Sequence, residues 1–345
     1  MKLKIKNVKP NWKLFTLAND RNMTVSFLNF GGIITEINVP NREQTIENVV
    51  LGFKSYADYE KNTHFLGGII GRIAGRIQDA SFTLGNQTFT LDANAGNHHL
   101  HGGPGGFHQV LWKDKPFQTD DTVGVVLTYT SPDGEGGYPA NIEVTVVYTL
   151  NNKNEFIIDY SATTDQTTVL TMTNHSYFNL SGNLSSTIHN HHVMIDSDEF
   201  VELDKELIPT GKKVHVMNTP FDFRNGRKLA DGINSKFIQN MVVNNGYDHY
   251  FIFNHQKQEN IVVRDETSGR KMTIKTNQPG AVMYTANSLD DNLALANGKS
   301  KPYVGVCFET QASPASLHHK GFPTVTLNAQ ETYKKQTVFA FGLVE

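Results

Sequence analysis

The chain has a single cysteine, Cys307, among 345 residues. No internal disulfide can form, so the core must hold the fold without covalent staples, and one thiol fits a reducing compartment. Its apolar neighbours predict a buried, inert sulfur rather than a nucleophile. Long apolar runs are also missing; none approaches the roughly 20 residues of a spanning helix. The start, Met1-Lys-Leu-Lys-Ile-Lys6, lacks the apolar stretch and cleavage site of a signal peptide, so a cytoplasmic location is expected. Neither charge sign is in excess: 31 basic against 34 acidic residues give a net charge of -3, without a basic block. Nucleic acid and membranes are therefore not expected as partners. Gly71-Arg-Ile-Ala-Gly-Arg-Ile77 lacks both the dinucleotide-loop glycine order and the Walker lysine. No linker, composition break or internal repeat divides the chain, which predicts one domain over residues 1–345.

What is present is a period of two. In Asn141–Leu150 the apolar residues Ile142, Val144, Val146, Tyr148 and Leu150 alternate with a mostly polar face, the pattern of a half-buried strand. Phe156, Ile158 and Tyr160 repeat it after Asn151–Asn154, as do Met272 and Ile274 after Thr267–Arg270. Phe82–Phe89 reads as a hairpin with a Gly-Asn turn. Helices are few and short, about Ser55 to Lys61 and about Leu229 to Ile238. Short strands separated by Gly, Asn and Asp clusters predict an all-β protein, a large antiparallel β-sandwich.

Glu309 stands out as a lone carboxylate in the apolar run Val304–Gln311. A charge buried there without a partner costs several kcal/mol. Either it reaches solvent at a strand end, or it is a general base with a raised pKa and needs an acid elsewhere. Asn174-His-Ser-Tyr-Phe178 offers that acid in His175. His98, His99 and His101 form one histidine cluster and His189, His191 and His192 another. Alternating His99 and His101 on a strand would share one face, but the Asn, Gly and Thr around them do not complete a metal set. In Leu100-His-Gly-Gly103 the glycines allow close approach, so His101 either meets a ligand at a loop mouth or merely bonds a turn. Arg76, beside Gly75, carries fixed N–H donors for a polar ligand, or lies on the surface. Asp248, flanked by aromatic residues in Gly246–Tyr250, suits a sugar's hydroxyls and C–H faces, or caps a turn. These residues describe a polar, carbohydrate-compatible site without naming a reaction.

A series of segments runs along the chain: Gly67-Gly-Ile-Ile-Gly-Arg-Ile-Ala-Gly-Arg-Ile77, Leu100-His-Gly-Gly103, Asp133-Gly-Glu-Gly-Gly-Tyr-Pro139 and Thr173-Asn-His-Ser-Tyr-Phe-Asn-Leu180. Then come Leu207-Ile-Pro-Thr-Gly211, Thr219-Pro-Phe-Asp-Phe-Arg224, Gly246-Tyr-Asp-His249, Gln278-Pro-Gly280 and Phe308-Glu-Thr-Gln311. Taken in order, these segments resemble the galactose mutarotase (aldose 1-epimerase) family across nearly the whole chain. The resemblance implies a galactose mutarotase-like β-sandwich that interconverts α- and β-anomers of free aldohexoses, with no cofactor and no metal. By position it implies Glu309 as general base and His175 as general acid, with Arg76, His101, Asp248 and Gln278 holding the sugar. A nearby carboxylate is expected to keep His175 charged, and apolar neighbours to raise Glu309. Two departures touch the expected pocket. Gly75 stands where many relatives carry Asn, and Ala312-Ser-Pro-Ala315 lacks the family's aromatic residue and Asp. A sugar-binding sensor on the same scaffold, an epimerase for another sugar and a glycoside hydrolase are the alternatives; the hydrolase would have to pair Glu309 with Asp248.

Overall fold

A computed structural model describes residues 1–344. Its strands form three larger antiparallel sheets and several two-stranded ribbons. A five-stranded meander covers Lys2–Lys9, Trp12–Ala18, Thr24–Leu28, Ile34–Pro40 and Ile46–Asn48. A nine-stranded sheet begins with the meander Lys113–Gln118, Thr122–Ser131, Ile142–Asn151 and Glu155–Thr164. It continues through the strand Tyr333–Leu343 to Arg270–Thr276 and Ile261–Arg264. A six-stranded sheet runs in the order Tyr177–Phe178, Val306–Gln311, Gly280–Tyr284, Asp248–Ile252, Glu199–Leu203, Pro209–His215.

The alternation explains the packing. Val144, Val146 and Tyr148, with Phe156 and Ile158, turn one face of the nine-stranded sheet inward, where Met272, Ile274 and Phe339 join them. Phe200, Phe251, Met283, Val306 and Phe308 come from the six-stranded sheet, and Phe15, Val25 and Phe27 from the meander, into the same continuous core. Thr310 Oγ1 meets Thr337 Oγ1 at 2.6 Å, pinning the six- and nine-stranded sheets together from within. Along Val306–Gln311, therefore, Val306, Phe308 and Thr310 point into the sandwich. Cys307, Glu309 and Gln311 must face the other side.

The Phe82–Phe89 hairpin is present as Ser81–Leu84 paired with Gln87–Thr90, and Gly85 supplies the positive φ of its turn. The first helical segment is a short 3-10 turn, Tyr56–Glu60, capped by the Ser55 side chain on the Ala57 N–H. The second expectation is corrected. Leu229 to Ile238 is not one helix but Ala230–Ile233 followed by a separate Ile238–Val242. Asn234 ends the first, and the Ser235 hydroxyl accepts from the Phe237 N–H, a local side-chain bond that competes with continuing the helix.

Candidate active site

The outward face of the six-stranded sheet floors a cavity of about 440 Å³. Strand register puts Glu309 opposite Val282 and Val282 opposite Tyr250; Tyr284 stands between Cys307 and Asp248 in the next row. Glu309, Val282, Tyr284, Asp248 and Tyr250 all line the cavity. Further walls come from short strands and the loops beside them. His175 follows the short strand Thr173–Asn174, Arg76 opens Arg76–Ile77, and His101 follows the strand His99–Leu100, which pairs with Arg76–Ile77. Antiparallel pairing of these two strands sets Arg76 opposite Leu100 and brings His101 beside Gly75, whose carbonyl accepts from the His101 N–H. The structure thus brings five of the six sequence-derived candidates to one cavity, Glu309, His175, Arg76, His101 and Asp248.

Gln278 is the exception. It is fully buried, and its Nε2 donates to the Met172 carbonyl (3.2 Å) and the Tyr333 hydroxyl (3.1 Å) between the sheets, away from the cavity. The cavity-facing residue of the neighbouring strand is Val282. Sequence reading also missed Phe65, Tyr250, Tyr284 and Gln311 as lining residues. Of these Gln311 and Tyr250 were within reach of it, because a period of two puts them on the faces of Glu309 and Asp248.

His175 Nε2 lies 3.5 Å from Glu309 Oε1, and both side chains are almost wholly buried. Burial lifts the Glu309 carboxyl well above the usual carboxylate range; the Asp248 charge adds to this and Arg76 opposes it. Glu309 Oε2 has no hydrogen-bond partner among the described residues. Burial also lowers His175, to about 3, with His108, His64 and Arg76 adding repulsion. The expectation that a nearby carboxylate keeps His175 charged is therefore corrected: burial disfavours the charged form of both partners, and the raised Glu309 carboxyl offers little negative charge to His175. Asp248 is raised by burial against the pull of Arg76, whose Nη1 stands 3.5 Å from Asp248 Oδ2. The Phe65 ring packs against His101 at 4.7 Å and His175 at 5.9 Å between centroids, holding both imidazoles at the cavity edge.

The Gly75 N–H donates to His101 Nδ1 at 3.1 Å, which leaves Nε2 carrying the ring proton. His101 therefore presents a donor. This decides how to read the one group of three potential ligands found among the described residues, His101, His175 and Glu309, whose atoms lie within 4.8 Å of one another. A metal-bound imidazole donates its second N–H to an acceptor. His101 does the reverse, so the arrangement matches hydrogen bonding to a hydroxyl rather than ligation of a cation.

Histidines of both clusters have structural partners. His99 and His101 do not share a face, because the strand ends at Leu100 and His101 turns to φ 52°. His99 Nδ1 bonds the Asp92 carbonyl and Nε2 the Tyr138 hydroxyl, both at 2.7 Å. His191 Nε2 accepts from the Leu180 N–H. Arg72, conspicuous in the sequence, spends its guanidinium on Ser131 and on the carbonyls of Pro132 and Pro139. The two departures meet each other: a Cβ on Gly75, at φ +93°, would lie 2.9 Å from Pro314 Cγ.

A β-sandwich with a buried histidine–carboxylate pair opening on a polar, aromatic-walled cavity suits an enzyme that acts on carbohydrates. The model of the aldose 1-epimerase family matches residues 13–340, and the chain belongs to that family. It is 38% identical to galactose mutarotase of Bos taurus, over 95% of this chain and 94% of that one. It is 33% identical to maltose epimerase of Levilactobacillus brevis, over 92% and 91%. Among solved structures, galactose 1-epimerase from Lactobacillus acidophilus superimposes with a TM-score of 0.88 at 29% identity, covering 100% of this chain and 99% of that one. The activity of the chain is that of a mutarotase, an isomerase.

Proposed function

We propose that the chain acts as one cytoplasmic catalytic domain that interconverts the anomers of aldohexoses such as galactose and glucose, with Glu309 and His175 moving the protons. The observation that carries this reading is the 3.5 Å approach of His175 Nε2 to Glu309 Oε1 in a sugar-sized cavity. Glu309 takes the proton of the C1 hydroxyl as His175 delivers one to the ring oxygen. The C1–O5 bond breaks and an open-chain aldehyde forms. Half a turn about C1–C2 presents the other carbonyl face, and closure with the proton roles reversed gives the other anomer. Each partner contributes roughly 10²–10⁴-fold.

The opposed shifts of the pair are compatible with this chemistry. A protonated Glu309 beside neutral His175 holds as many protons as an ionised Glu309 beside charged His175. The two forms differ only in where one proton sits, so the reactive form needs no net uptake or loss of protons by the pair. Sugar hydroxyls bonded to Glu309 would replace the solvation that burial removes and favour its ionised state. Arg76, His101 and Asp248 hold the remaining hydroxyls, so that only the C1 end turns. No role in sugar binding is proposed for Gln278, which lies outside the cavity.

Polarimetry on freshly dissolved α-D-galactose tests the reading. Glu309→Gln is expected to abolish nearly all turnover while sparing most sugar binding; near-normal mutarotation by this variant would overturn it.

A wider substrate range has its own support. The cavity lining continues past Asp248 to Leu203 and Pro209 on the next two strands. At about 4.8 Å per strand, the floor from Glu309 to Pro209 spans ~19 Å, long enough for a 4-linked disaccharide, the substrate class in the name of the Levilactobacillus brevis relative. Anomerisation of maltose at a rate comparable with glucose would support this second reading, and inactivity on maltose would exclude it.

A further inference from the structure

We propose that the Cys307 thiol is a positioning residue for the reaction: its S–H, directed at His175 Nδ1, holds that imidazole as the tautomer whose Nε2–H points at Glu309 and the sugar. The inference rests on the acid–base reading of His175 and deepens it.

Cys307 Sγ stands 3.5 Å from His175 Nδ1, within reach of a sulfur hydrogen bond. Both residues are buried, with Cys307 at 0% exposure. Cys307 is one residue from Phe308 and two from Glu309, so the period of the strand puts thiol and carboxylate on the same face of the sheet. His175 thus sits between them, Nδ1 toward Cys307 and Nε2 toward Glu309. Cross-strand pairing of Tyr177 with Cys307 keeps the two segments in register, and the Tyr177 and Phe65 rings pack beside the imidazole.

The direction of the bond follows from chemistry. Burial raises the thiol well above its ordinary pKa, with Glu309 and Asp248 acting in the same sense, so the sulfur keeps its proton. A protonated thiol is a weak donor, and neutral His175 offers Nδ1 as acceptor. The arrangement parallels His101, whose Nδ1 accepts from the Gly75 N–H. Both imidazoles then present Nε2–H to the cavity. A carboxylate behind Nδ1 would stabilise the imidazolium and make it a weaker acid; a thiol fixes the tautomer without that penalty. Charged and titratable groups facing His175 from other elements are Glu309, Arg76, His64, His101 and His108, and none of them occupies Nδ1.

Cys307→Ala and Cys307→Ser distinguish this role from packing. The alanine variant is expected to lose roughly 3- to 10-fold in kcat, the effect of one modest hydrogen bond, with KM little changed. Serine, which retains a donor at the same place, is expected to recover most of the rate. Nitrogen-15 NMR of the histidine rings should show the Nε2–H tautomer of His175 in wild type and Cys307→Ser, and a mixture in Cys307→Ala. Wild-type kcat and an unchanged tautomer in Cys307→Ala would overturn the proposal. So would a loss in Cys307→Ala that serine fails to recover while both variants melt like wild type. A wild-type chain that leaves sugars unconverted would instead reject the acid–base reading itself; the ring tautomers would then report on the thiol contact alone.

Discussion

Asp248 and Glu309 share the cavity face of the six-stranded sheet, two strands apart, and the Asp248 charge helps to raise the Glu309 carboxyl. Asp248→Asn removes that charge, so the pair formed by Glu309 and His175 loses its shared proton at lower pH. The alkaline limb of the kcat/KM profile should therefore move toward acid, whatever the variant does to sugar affinity. The limb belongs to the pair rather than to one residue. Stopped measurements of mutarotation across pH check this, and an unmoved or alkaline-shifted limb contradicts it.

His175→Asn keeps a polar group of similar shape but cannot deliver a proton to the ring oxygen. The expected loss is in kcat, roughly 10²–10⁴-fold, with KM little altered. Initial-rate polarimetry over a range of sugar concentrations separates the two parameters. An effect confined to KM would make His175 a binding residue.

Buried neutral histidines should make the fold acid-sensitive. His108 and His191 are lowered to about 4, His175 and His249 to about 3, each chiefly by burial. An unfolded histidine titrates near 6.5, so below that pH the unfolded chain binds more protons than the folded one. Their contribution is present in full above about 6.5 and is lost as pH falls through the folded values. The melting temperature should drop from near pH 6.5 toward pH 4. His249→Gln, on the core side of the sheet, should flatten that slope if the variant folds, as read by calorimetry at several pH values.

Glu309 has the opposite sign. Its folded pKa is raised, so its contribution is full below the ordinary carboxylate pKa and is lost as pH rises through the folded value. Glu309→Gln should melt higher than wild type at neutral and alkaline pH, and the gain should shrink in acid. A lower melting temperature at pH 8 would contradict this.

Gly75→Ala adds a Cβ at φ +93°, close against Pro314. It should destabilise the fold by about 1–2 kcal/mol. Because the Gly75 N–H holds His101, sugar affinity should weaken as well. Denaturant titration and KM measured together check both effects; an unchanged KM would separate Gly75 from the hold on His101.

Much of this was legible in the chain. Period-two runs gave the strands because each inward residue is apolar, as Ile142, Val144 and Tyr148 are, and the Ser55 cap and the Gly85 turn are local chemistry. The break in Leu229 to Ile238 was harder to see, since Asn234 and Ser235 each tolerate a helix and the Ser235 side chain ends one only when its local bond competes. Gln278 was expected to hold the sugar only through the family resemblance of its Gln278-Pro-Gly280 motif. Its side chain instead turns inward to Tyr333, and Val282 takes the cavity face.

By itself the sequence determined the alternation that makes sheets and the polar residues set within apolar runs, since both depend only on neighbours along the chain. Tertiary structure alone decided that Val282 faces Glu309, that the Gly75 amide fixes the His101 tautomer, and that burial neutralises His175. These depend on strand register and solvent exclusion, which arise only when distant segments pack.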